Sequence, residues 1–112
     1  MKTFLALYMG APNAAGGRPD MSEADIQRGM AAWGAWMDDN AGRMVLPGGP
    51  CGVTKKTSKA GVEDVRNAVT GFTVLQAESH DEAARLFENH PHFAIFPGDS
   101  VEIMEVLPIP GA

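Results

Sequence analysis

Three histidines, one tyrosine and one cysteine carry most of the reactive side-chain chemistry in this 112-residue chain. His90 is the leading candidate for catalysis, because imidazole titrates near neutrality and can take or give a proton at working pH. It follows Ala83, Leu86 and Phe87 at i, i+3, i+4 and i+7, a spacing that places it on the apolar face of a helix, aimed at the protein body. The plainer alternative is a helix-ending histidine bonded to a nearby carbonyl. His92 lies two residues on, past a proline. A His-x-His pair could start a metal site, but no third or fourth ligand stands near it, so no metal is expected. His80 falls in a first helical turn and reads as solvated. Tyr8 could present its hydroxyl to a cavity, and Trp33 and Trp36 could wall one; His92 completes the expected substrate pocket. The competing reading of these aromatics is core packing. Cys51 has no base beside it to activate a thiolate. Gly48-Gly49-Pro50-Cys51-Gly52 lacks the Lys-Ser/Thr of a phosphate loop and precedes no helix. Glu102 and Glu105 have opposite parity on a strand, so one should face inwards unless it lies at the rim.

The elements that must position these groups can be read along the chain. Lys2 to Met9 is a strand, apolar at both parities. Gly10 to Asp20 is a long loop that could act as a lid. Ser22, with Glu23 and Asp25 behind it, opens a helix; Ile26, Met30, Trp33 and Met37 form its expected buried stripe, with Trp36 at the edge, and Asp38, Asp39 and Asn40 close it, with Gly42 as the C′ residue. Arg43 to Leu46 is a strand, interrupted from Pro47 to Gly52 as at a bulge. Val53 to Thr57 resumes an extended, polar course near an edge, and Ser58 to Gly61 is a turn. Val62 to Val69 fits either a loop or a short extended piece. Gly71 to Ala77 is a strand by its aromatic and β-branched content. Ser79-His80-Asp81-Glu82 is a capping box that starts a second helix, which Pro91 should end. Ser100 to Leu107 is the last strand.

This order gives an α+β fold, a ferredoxin-like βαββαβ subunit in a single domain over residues 1–112. Both helices then lie on one face of an antiparallel sheet. Phe4, Ala6 and Tyr8 alternate with Leu5, Leu7 and Met9, and Phe72 and Val74 with Leu75 and Ala77, so the second face is apolar too. A sheet apolar on both faces needs a cover on each. The simplest cover is a second copy about a two-fold axis, and the expected assembly is a homodimer, a dimeric α+β barrel.

Composition narrows the function classes. An apolar share of 45% and a charged share of 21% fit a folded globular protein. A net charge of −5 argues against nucleic acid as partner. No apolar run suits a membrane span, the opening stretch lacks the pattern of a signal peptide, and a single cysteine fits a reducing cytoplasm.

The chain resembles the YCII-related family, including its DGPF-containing branch. The residues that carry the likeness are Leu5-Ala6-Leu7-Tyr8, Met30-Ala31-Ala32-Trp33-Gly34-Ala35-Trp36-Met37, Gly48-Gly49, Gly71-Phe72, Ser79-His80-Asp81-Glu82-Ala83, Asn89-His90-Pro91 and Val101-Glu102-Ile103-Met104-Glu105-Val106. The resemblance implies dimeric α+β barrels of ferredoxin-like subunits. It departs from the family at two points. The DGPF tetrapeptide is absent before Gly71-Phe72, where the chain reads Glu63 to Thr70. The His–Asp pair proposed in another branch has no counterpart, since the first helix holds no histidine and His90 stands in the pre-proline position. Acid–base chemistry would have to be rebuilt around His90. Two functions fit. The first is a small enzyme without cofactor, acting on an apolar or aromatic small molecule, with His90 as acid or base. The second is a non-catalytic module that binds a small ligand or a protein.

Overall fold

A computed structural model describes residues 1–10 and 21–111. Its elements are β1 (Lys2–Met9), α1 (Glu23–Asp39), β2 (Met44–Pro50), β3 (Thr54–Ser58), β4 (Gly61–Val65), β5 (Val69–Ala77), α2 (His80–Arg85), α3 (Pro91–Ala94) and β6 (Ser100–Glu105). The main sheet has the order β2-β5-β1-β6, with β1 antiparallel to both of its neighbours. Phe4, Ala6 and Tyr8 of β1 and Thr73, Leu75 and Ala77 of β5 face the helices and are buried. Ala83 and Phe87 close the core from the other side, flanked by Trp33, Trp36, Met44 and Ile103.

Ser22 caps α1 as expected, accepting the Asp25 amide at 3.1 Å. The buried stripe of the helix differs from the expected one. Gly29, Trp33 and Trp36 turn inwards, while Ile26 and Met30 are 43% and 62% exposed. Both stripes have the same helical spacing. Trp33 is common to both, and Trp36 tips the balance because it brings more apolar area and because its indole N–H reaches the Leu86 carbonyl at 2.8 Å. Gly29 leaves room for the ring of Phe96. Asn40 closes the helix as expected, but Gly42 is not its C′ residue and falls instead in a short 3-10 turn over Ala41–Arg43.

Pairing of β2 with β5 slips twice, between Met44 and Leu46 and between Leu46 and Gly49, where the Pro-Gly run was expected to break the strand. Gly48 makes this possible: its φ is +72°, and a Cβ there would overlap the Phe72 carbonyl. The extended piece from Thr54 does not join the main sheet. It pairs with β4 as a separate two-stranded hairpin, turned at Gly61 with φ +108°.

The second helix also departs from expectation. Ser79 caps it, accepting the Glu82 amide at 3.1 Å, but Glu82 bonds Arg43 at 2.6 Å instead of closing the box on Ser79. The helix stops at Arg85, and Asn89 turns the chain with φ 57°. Pro91 then opens α3 at its first position, where the missing N–H is harmless and the fixed φ is helical. His90 is thus the cap of a new helix, not the last residue of the old one.

On the helix-free face lie Leu5, Leu7, Met9, Phe72 and Val74, half-buried, with Met104 exposed. Among the described residues nothing covers this layer, and Glu102 stands on it opposite Leu7.

Candidate functional site

The fold gathers Tyr8, Trp33, Trp36, His90 and His92 into one cluster at the C-terminal end of β1. The Tyr8 ring lies 4.9 Å from Trp33, 5.3 Å from His90 and 5.3 Å from His92, centroid to centroid. His90 packs edge-on against Trp33 at 4.6 Å and Trp36 at 4.8 Å. Phe87 completes the shell, 4.8 Å from Trp36 and 5.7 Å from His90. Phe87 shares the helical spacing that drew attention to His90. Phe96, 6.1 Å from Trp33, belongs to no periodic segment and carried no sequence signal.

Each histidine in this region has a defined job. The pre-proline position holds His90 extended, with ψ 140°, and in that conformation its Nδ1 accepts the His92 amide at 3.0 Å, capping α3. A neutral ring that accepts at Nδ1 carries its proton on Nε2. His92 donates from Nε2 to the Met9 carbonyl at 2.8 Å and so fastens α3 to the end of β1. Gly98 stacks directly on that ring, and its amide donates to the His92 carbonyl at 2.9 Å. His80, expected to be merely solvated, donates to the Ile103 carbonyl at 2.7 Å and ties α2 to β6.

Two buried polar atoms in the cluster have no partner among the described residues, the Tyr8 hydroxyl and His90 Nε2. His90 is 1% exposed and Tyr8 4%. Burial, and secondarily the neighbouring His92, lowers the His90 pKa to about 4, so the ring is neutral at pH 7. Burial also raises the Tyr8 pKa, so its phenol keeps its proton.

The remaining candidates do not join this cluster. Cys51 is an exposed free thiol after β2. Glu102 is exposed, and Glu105 is half-buried at the end of β6. No three His, Cys, Asp or Glu side chains come together among the described residues. The 10–20 loop proposed as a lid lies, after Gly10, outside the described residues. No helix among the described residues is long and apolar enough to cross a membrane.

Strand order and one-sided helices define a ferredoxin-like α+β fold with an added hairpin. A solved structure of similar fold is 5-chloro-2-hydroxyhydroquinone dehydrochlorinase from Burkholderia phenoliruptrix AC1100, determined in complex with 2,5-dihydroxybenzoquinone. The two share 20% identity over 91% of this chain and 90% of that one, with a TM-score of 0.55. No family model matches the chain. No curated protein matches it either.

Proposed function

We propose that this chain is a YCII-related enzyme that works without a cofactor on a small apolar or aromatic molecule, at the Tyr8–His90 cluster of a homodimeric barrel. The observation that carries the reading is a pair of buried atoms with no partner among the described residues, Tyr8 Oη and His90 Nε2, inside one aromatic shell. An unsatisfied buried polar group costs about 1–3 kcal/mol. Such a cost is tolerated where a ligand supplies the missing partner. His90 serves there as a neutral donor. Protonating Nδ1 would set two N–H groups against each other, so the ring holds its proton on Nε2 and shares it with an oxygen of the ligand. Together with the Tyr8 hydroxyl it stabilises negative charge that builds on that oxygen during an isomerisation or elimination. The dehydrochlorinase holds a flat, oxygen-bearing ring, and a ring of that kind suits this aromatic shell. Trp33, half-buried, is the member of the shell that must shift to admit it.

A binding module without catalysis is the second reading, favoured by the near-complete enclosure of His90 and the use of its Nδ1 as a helix cap. Thermal-shift screening of small aromatic ketones, phenols and 1,4-naphthoquinone tests both readings, in a Cys51→Ser background because exposed thiols add to quinones. Ligand-induced shifts should vanish in His90→Ala, and identical shifts in both proteins would remove His90 from the site. Product formation, followed chromatographically, separates enzyme from binder.

Tyr8→Phe supplies a sharper test. Deleting an unpartnered hydroxyl from a buried ring should stabilise the protein by about 1 kcal/mol, raising Tm by about 4 °C, while weakening ligand binding. A lower Tm would mean that the hydroxyl has a partner and the site no vacancy.

The homodimer rests on the apolar helix-free face, whose Leu5, Leu7, Phe72 and Val74 a second copy would cover. Light scattering should give twice the chain mass at micromolar concentration, and Leu7→Glu should halve it. A wild-type monomer at that concentration would sink the barrel.

A further inference from the structure

The polarity of the same cluster defines which ligands it can take, and the argument rests on the Tyr8–His90 site proposed above. Two further donors of the shell are engaged, the Trp36 indole by the Leu86 carbonyl and His92 Nε2 by the Met9 carbonyl. The buried donors that have no partner among the described residues are one N–H on His90 and one O–H on Tyr8, and the half-buried Trp33 adds an uncharged indole N–H at the edge of the shell. The surrounding side chains, Trp33, Trp36 and Phe87, are uncharged, and His90 is held neutral by burial, with its Nδ1 committed as an acceptor in the cap. Among the described residues no lysine or arginine belongs to the shell, and the ion-paired arginines Arg43 and Arg85 are turned to Glu82, Asp81 and Glu88.

We infer that this site selects a neutral, flat ligand through an acceptor oxygen, a ketone, quinone or un-ionised phenol, over a carboxylate, sulfonate or phosphate. Two neutral donors on rings 5.3 Å apart can serve the lone pairs of one carbonyl oxygen. A full anion arriving from water would lose its hydration and meet no counter-charge. Charge that appears only as the reaction proceeds is a different case, because the donors are then already beside the ligand and shielded from water.

Acetophenone and benzoate, nearly isosteric, provide the first test by calorimetry or thermal shift. Acetophenone should bind at least about tenfold more tightly, the ratio expected when one member must shed a charge's hydration. 4-Nitrophenol provides the second. Its affinity should be constant below its own pKa and fall about tenfold per pH unit above it, because only the neutral form is competent. His90 stays neutral over that range, so the profile reports the ligand. Tyr8→Phe should weaken 4-nitrophenol between about twofold and tenfold without moving the profile. Benzoate binding as tightly as acetophenone, or nitrophenolate as tightly as nitrophenol, would overturn the selectivity and leave the site standing. Binding of none of these probes, or binding indifferent to both Tyr8→Phe and His90→Asn, would overturn the site and the selectivity with it.

Discussion

Lowering the pH from 7 to 5 is expected to destabilise the protein by about 2 kcal/mol through His90 alone, and by about 3 kcal/mol at pH 4. The unfolded chain takes up a proton near the ordinary value of 6.5, whereas the buried ring resists until about 4. Below 6.5 the unfolded state therefore binds more protons, and stability falls with pH across that window. Above it the contribution is complete. His90→Asn isolates the effect. Asparagine can accept the His92 amide and keep the cap of α3, but it does not titrate. The variant should be less stable at pH 7, because a smaller side chain leaves a void among Trp33, Trp36 and Phe87. Its denaturation midpoint should nevertheless change less than the wild-type midpoint between pH 7 and pH 5, a range above most carboxylate titrations. Parallel pH profiles for the two proteins would show that His90 is accessible to protons in the folded state.

Gly98→Ala should cost about 3 kcal/mol, combining overpacking with the loss of a buried hydrogen bond. A Cβ at this position would overlap both the ring and the carbonyl of His92. Part of the obstacle is backbone, so no rotamer change relieves it. The chain must move α3, and the His92–Met9 bond at 2.8 Å is the contact most exposed to that movement. Because His90 caps the same helix, its Nε2 should be displaced as well, and ligand binding should weaken along with stability. Urea denaturation measures the first effect and calorimetry with acetophenone the second. A variant as stable as wild type would show that α3 is not held as tightly as this packing implies.

How much of this was legible in the sequence depends on which signal each residue carried. The sheet was readable because β1 and β5 alternate two apolar sets, and that pattern survives any detail of register. All five expected site residues converge, although parity left both faces of β1 open to Tyr8 and the expected stripe of α1 held Trp36 only at its edge. Where two stripes had the same period, periodicity could not choose. Ile26 and Met30 lost to Gly29 and Trp36 through a hydrogen bond to Leu86, a contact 50 residues away. Pro91 was ambiguous in a similar way, because proline both ends helices and begins them. Asn89, turning at positive φ, decides the matter, and asparagine tolerates that conformation better than most residues. The hairpin of β3 and β4 looked like a sheet edge because strand residues do not name their partner. Phe96 and Gly98 were silent altogether: their importance lies in what stacks on them, and no local pattern encodes it.

The Met9 carbonyl receives two donors, the imidazole of His92 at 2.8 Å and the amide of Asp99 at 2.9 Å. Both of its lone pairs are therefore occupied, and a main-chain atom becomes the peg from which one wall of the site hangs. Side-chain scanning would overlook it, since truncating the methionine leaves the oxygen where it was. Identity at position 9 can drift among residues that suit a strand while the peg stays put. Only a change in the backbone itself, such as an ester in place of the following amide, reaches this part of the architecture.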